Sequence, residues 1–192
     1  AWSPDGNRLA FVYYTPDEPG QERRAQIRVG VIDQGTEDVV LDVPSPNGFI
    51  VDLVWDPNGQ ILAFLMSGTV EESVRGEPNL YVLNLATKEL TQLTENKQVL
   101  SPVFSSRGDK VLYIVDSLDP SVPDQLEVVN LRDLTCHNLQ VALSSFYAVS
   151  LSTDGKKIAF SSRSNVLIAD TGRALPPNFW SEGDSCNFGD SN

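Results

Sequence analysis

The sequence predicts an all-β fold of about four repeated, four-stranded units, and three observations carry that expectation. A decapeptide recurs four times without internal gaps. A second strand-and-turn module follows each copy. No stretch of the 192 residues shows a convincing 3.6-residue apolar period.

The decapeptide reads WSPDGNRLAF at 2–11, WDPNGQILAF at 55–64, FSSRGDKVLY at 104–113 and LSTDGKKIAF at 151–160, at steps of 53, 49 and 47 residues. Each position has a physical role. Pro4 and Pro57 preset φ for the first turn position, and Asp5, Asn58 and Asp154 suit the second. Gly6, Gly59, Gly108 and Gly155 follow, where a left-handed residue closes a type I turn with a glycine bulge. The third copy departs most: Ser106 and Arg107 replace Pro-Asp, so a less rigid turn is expected there. The apolar run after each turn, such as Leu62-Ala63-Phe64 or Ile158-Ala159-Phe160, reads as a buried strand. Trp2, Trp55 and Phe104 are expected to pack between neighbouring units. Phe11, Phe64, Tyr113 and Phe160 are expected deep in each sheet.

The second module reads IRVGVID at 27–33, NLYVLNL at 79–85, LEVVNLR at 126–132 and NVLIADT at 165–171. Asp33, Asn84, Asn130 and Asp170 align at one position, where the strand gives way to a turn. A further short strand follows in three copies: VVLDV, LTQLT and TCHNLQ. Inner strands FIVDLVW, VLSPVF and FYAVSL precede the second to fourth decapeptides, and Ala1 and Trp2 read as the tail of another. NFWSEGD at 178–184 resembles a degraded fifth opening. The units therefore fall at 1–48, 49–98, 99–145 and 146–175, with a polar tail or the start of a degenerate fifth unit at 176–192.

Four-stranded units at this period read as the blades of a β-propeller. A chain that starts and stops inside the repeat reads as a partial propeller cut from a longer array. The alternative is a closed four-bladed ring in which Phe179 and Trp180 supply the strand missing from the first blade.

Composition narrows the function. Apolar residues make up 41 % and charged residues 21 %, as in globular chains. No apolar run approaches the roughly 20 residues that span a bilayer. A net charge of −12 disfavours nucleic acid and anionic membrane surfaces as partners. Two cysteines and one histidine fit no zinc spacing, and no metal or other cofactor is expected. His137, the only imidazole, lies on a predicted outer strand facing solvent. No G-x-S-x-G element occurs, and the doubled Gly-Asp-Ser of the tail has no later Asp-x-x-His. No catalytic set is therefore expected. The turn geometry, rather than metal binding, explains Asp5, Asn58 and Asp154.

The W-S-P-D-G-x-x-L-A-F element resembles the repeat of the TolB-like propeller family, over about residues 1–175. Related repeats form the amino-terminal propellers of prolyl oligopeptidase and dipeptidyl peptidase proteins. A true WD40 repeat would show a Gly-His opening and a Trp-Asp ending, which are absent here. The resemblance implies a non-enzymatic binding or scaffold module for a protein or peptide partner, in an extracytoplasmic bacterial setting. The alternatives are the propeller of a larger serine peptidase and a structural repeat of a cell-surface protein. Open blade ends would favour self-association.

Binding residues are expected on the long loops between the second and third strands, because long loops on a rigid scaffold commonly carry function. They are Arg23, Arg24, Glu71, Glu72, Arg75, Asp119 and Asp124. Cys136 aligns with the apolar Leu90 of the preceding unit, so a buried, unbridged thiol is the default expectation. A bridge to Cys186 requires the tail to return until the two Cα atoms are within about 7 Å.

Overall fold

The computed structural model describes residues 1–16, 19–44, 49–67, 78–95, 97–117, 119, 121, 122, 124–138, 148–152, 154–161 and 166–170. The chain divides into two compact units, Ala1–Gln92 and Leu93–Asn192. In the first, β1 (Arg8–Tyr14), β2 (Arg24–Val31) and β3 (Thr36–Pro44) form one sheet. The second sheet is β4 (Ile50–Trp55), β5 (Ile61–Ser67), β6 (Pro78–Asn84) and β7 (Leu90–Gln92). In the second unit, β8 (Gln98–Phe104), β9 (Lys110–Asp116), β10 (Gln125–Asn130) and β11 (Cys136–Asn138) form one sheet. The other is β12 (Ala148–Leu151), β13 (Lys157–Ser161) and β14 (Val166–Asp170). Within each sheet every strand pairs antiparallel with its neighbour in sequence, so each sheet is a meander, the arrangement of a propeller blade. The only helical element among the described residues is a single 3₁₀ turn, Ile32–Gln34.

Each unit buries an apolar layer between its two sheets. In the first, Ala10, Ile27 and Val40 meet Ile50, Trp55, Leu62 and Phe64. In the second, Leu112, Ile114, Leu126 and Val128 meet Val149, Ile158 and Phe160. Strands β5 and β9 carry long runs of fully buried residues, as their unbroken apolar sequences predict. Phe64 stacks on Tyr81, its cross-strand partner, with ring centroids 6.0 Å apart.

The decapeptide turn forms as its chemistry predicts. Gly6, Gly59, Gly108 and Gly155 all have φ between 67° and 74°. Their amides donate to the carbonyls of Ser3, Asp56, Ser105 and Ser152. The side chain at the head of each turn then holds the loop. Asp56 is buried and accepts from the amides of Asn58, Gln60 and Ile61. The Ser152 hydroxyl donates to Asp154 and accepts the Lys157 amide. In the third copy Asp109 replaces the missing turn aspartate, and the Ser105 hydroxyl donates to it at 2.8 Å.

Several expectations need correction. Trp2 does not pack in a core: it is 59 % exposed, and its backbone bridges Leu9. Phe11 is half-buried rather than deep in its sheet. Asp33 does not share the position of Asn84, Asn130 and Asp170. Val31 does, because Arg8 pairs with Val31 as Ile61 pairs with Asn84 and Lys110 with Asn130. The left-handed residue that ends this turn is Gly35, Lys88 or Leu134. Cys136 is not a free thiol but disulfide-bonded. Cys186, the only other cysteine of the sequence, lies outside the described residues, as does the predicted tail or fifth-blade segment at 176–192.

Candidate binding site

The turn end of the first three sheets brings together two kinds of turn. In these sheets the decapeptide turn supplies one carbonyl, and the turn after β2, β6 or β10 donates an amide to it: Ile32 to Asn7, Leu85 to Gln60 and Leu131 to Asp109. Neighbouring sheets within a unit then meet through their decapeptide turns. A Cβ placed on Gly59 would lie 2.7 Å from the Arg8 guanidinium and 3.6 Å from Pro4. A Cβ placed on Gly155 would lie 2.6 Å from the Ser106 hydroxyl. Both glycines are thus fixed twice, by positive φ and by the approach of the adjacent turn.

The two units differ in what fills this junction. In the first unit Arg8 closes it. Its guanidinium donates to the Gly59 carbonyl at 2.7 Å and lies 4.7 Å from the centre of the Trp55 ring. In the second unit the position of Arg8 is taken by Lys110 and that of Trp55 by Leu151. There the junction is open, with a cavity of about 360 Å³.

Three cationic side chains line the cavity, Arg107, Lys110 and Arg132, together with Asn130, Ser105 and Ser106. Two carboxylates, Asp109 and Asp154, share the lining. Each carboxylate is already engaged by its own turn. Asp109 accepts from Ser105, and Asp154 accepts from the Ser152 hydroxyl and the Lys156 amide. Those bonds hold the Asp154 carboxyl below the ordinary value, the Ser152 bond most strongly. Beside the cavity, Asp133 is lowered first by the Thr135 hydroxyl and least by the charge of Lys110. Arg107 and Arg132 are exposed, and neither forms a salt bridge among the described residues.

The residues expected to bind are distributed differently. Arg24 pairs with Asp42 across β2 and β3 at 2.6 Å, and Arg23 lies over the Tyr14 ring at 5.0 Å. Asp119 caps its own loop, accepting the Ser121 amide and hydroxyl; the hydroxyl does most to lower its pKa. Asp124 accepts the Ser117 amide at 3.3 Å. Glu71, Glu72 and Arg75 lie outside the described residues. Asp119 and Asp124 therefore build their own loop, and Arg24 ties β2 to β3. The cavity lies at the other end of β9 and β10 from the 117–124 loop. Its cationic residues escaped the sequence reading. The signal was the substitution of Ser106-Arg107 for Pro-Asp, read only as a looser turn.

Among the described residues no group of three or more His, Cys, Asp or Glu could hold a metal ion. No helix there is long and apolar enough to cross a membrane.

No protein-family model matches the chain. The TolB homolog of Chlorobium luteolum (strain DSM 273 / BCRC 81028 / 2530) is 28 % identical over 117 residues, which is 59 % of this chain and 22 % of that protein. The crystal structure of TolB from Acinetobacter baumannii superposes with a TM-score of 0.64 at 22 % identity, covering 91 % of this chain and 41 % of that one. The β-propeller domain of the Trilobed protease from Pyrococcus furiosus gives 0.60 at 18 % identity, covering 90 % and 53 %. The chain thus spans less than half the length of the TolB proteins it matches. Repeat sequence, blade topology and these similarities agree: the chain has a β-propeller fold and is similar in sequence to a TolB homolog.

Proposed function

We propose that the chain is a non-catalytic binding module for a protein or peptide partner. The open, cation-lined cavity between the third and fourth sheets supports this reading best. It is concave, borne on hydrogen-bonded turns, and of a size typical of ligand sites. His137, the only imidazole, pairs opposite Val128 on β11 and is not among the residues lining the cavity. A hydrolytic Ser–His arrangement around that cavity has no base. The disulfide at Cys136 favours an oxidising, extracytoplasmic setting. The long-loop residues Arg23, Arg24, Asp119 and Asp124 act in this reading mainly as scaffold.

The similarity to the Trilobed protease propeller domain favours a second reading, in which this propeller serves a peptidase. Peptide display against the immobilised chain tests the first. Saturable binding of selected peptides that are recovered intact supports it. An absence of saturable binding to any displayed sequence contradicts it.

A further inference from the structure

We infer that the cavity between the third and fourth sheets is a carboxylate site, in which Arg107 and Arg132 grip a carboxylate of a bound peptide. This deepens the binding-module reading and rests on it. The first unit supplies an internal precedent. At the matching junction an oxygen acceptor, the Gly59 carbonyl, is met by the Arg8 guanidinium. In the second unit the position of Arg8 holds Lys110, which lines the opening, and two arginines stand at its rim. Both are exposed and form no salt bridge among the described residues, so their donors remain available to a ligand. A guanidinium presents paired donors that match the two oxygens of a carboxylate; Asn130, beside them, already donates to Asp133 and accepts the Arg132 amide.

Charge selects the ligand class. Arg107, Lys110 and Arg132 against Asp109 and Asp154 leave the lining one unit positive, in a chain of net charge −12. The cavity's three cations draw a negative charge, while the nearby Asp133 carboxylate is engaged by Thr135 and Asn130. The fixed carboxylates Asp109 and Asp154 count against a phosphate dianion, which would face both. Asp154 is held ionised by its own turn, so that selection persists at neutral pH. The carboxylate could come from the carboxy terminus of a peptide or from an acidic side chain; the recognising chemistry is the same.

The probe is fluorescein-labelled Ala-Ala-Glu-Ala-Ala in four forms: free acid or terminal amide, each with Glu or Gln. Anisotropy reads affinity, and amide NMR shifts read location. Binding of the Glu free acid is expected, with shifts at Arg107, Lys110, Asn130 and Arg132. Loss of binding on amidation identifies the terminal carboxylate as the source; loss on Glu-to-Gln exchange identifies the side chain. Arg107→Met and Arg132→Met should each weaken binding about tenfold or more, the scale of a charge-assisted hydrogen bond. Arg24→Met, in the other unit, should leave it unchanged.

Binding by all four forms alike, or an affinity unmoved by both arginine variants, overturns the carboxylate assignment. If peptides selected by display bind saturably but shift only residues outside the cavity, this inference fails while the binding-module reading stands. If no displayed peptide binds, both fail.

Discussion

Replacing Lys97 by Met should destabilise the second unit by about 3 kcal/mol. The reason lies in the burial of Glu127, whose side chain is 5 % exposed on β10. Lys97 Nζ donates to both carboxylate oxygens, at 2.9 and 2.7 Å. The Tyr113 hydroxyl donates to Oε2 at 2.8 Å. Burial first, and then the Glu127 charge, push the Tyr113 phenol far above its ordinary pKa, so it remains a donor. The Cys136 sulfur lies 3.7 Å from the same oxygen, but a disulfide sulfur carries no proton to donate. Without Lys97 the carboxylate keeps one charge-quenching partner fewer and stays in the core. Breaking a buried pair from one side costs about 3–5 kcal/mol. Lys97 is itself 22 % exposed, and water reaching the vacated site places the effect at the low end. Urea titration followed by far-ultraviolet circular dichroism measures it as a shift in midpoint with an unchanged slope. Lys97→Met/Glu127→Gln removes both charges and should recover most of the loss. Lys97 has further interactions, so the comparison of single and double variants isolates the pair. A loss below about 1 kcal/mol for Lys97→Met, or a double variant no more stable than the single, refutes the reasoning.

Three further outcomes are expected. Phe64→Ala should cost about 3–5 kcal/mol in the same titration, since Phe64 is fully buried between two sheets and stacked on Tyr81. Gly155→Val should destabilise more than the partial exposure of Gly155 suggests, because a β-branched residue resists φ of 67° and its Cβ would strike Ser106; a change within experimental error contradicts this. The Asp5 and Asp154 carboxyls are held below the ordinary 3.8, first by the Ser3 and Ser152 hydroxyls. Their stabilisation is fully present above that value and is lost as pH falls through the lower folded-state values. Asp154→Asn should therefore flatten the acid limb of the stability curve and leave its slope above about pH 5 unchanged.

The fold was legible because the residues that determine it are local. A glycine shared by all four copies, with a proline and an aspartate or asparagine before it in the first two, specifies the decapeptide turn, and the apolar run after it specifies a buried strand. What failed was not local. The DQG sequence drew Asp33 into the alignment, but the 3₁₀ turn at Ile32–Gln34 places Val31 opposite Arg8. Left-handed Asp52 and Ser101, three residues before Trp55 and Phe104, break the register of the inner strands of the second and third sheets. Aspartate tolerates that conformation better than most residues and serine does not, but within an apolar strand run neither marks it. The cavity combines Arg107, Arg132 and Asp154 from three separate turns, and only the pairing of whole sheets brings them together. Long loops drew attention for their length; there Asp119 and Asp124 make hydrogen bonds within the 117–124 loop, and Arg24 pairs with Asp42 across β2 and β3.

The central claim is that the junction open in the second unit is a ligand site, where Arg8 and Trp55 close its counterpart in the first. Rebuilding that closure tests it most directly. The variant Lys110→Arg/Leu151→Trp places the Arg8 and Trp55 chemistry at the matching positions of the third and fourth sheets. Its urea midpoint should equal or exceed that of the parent chain, and its affinity for the Glu free-acid peptide should fall by at least about tenfold, as a filled cavity requires. A stable variant that binds the peptide as tightly as the parent would contradict the account.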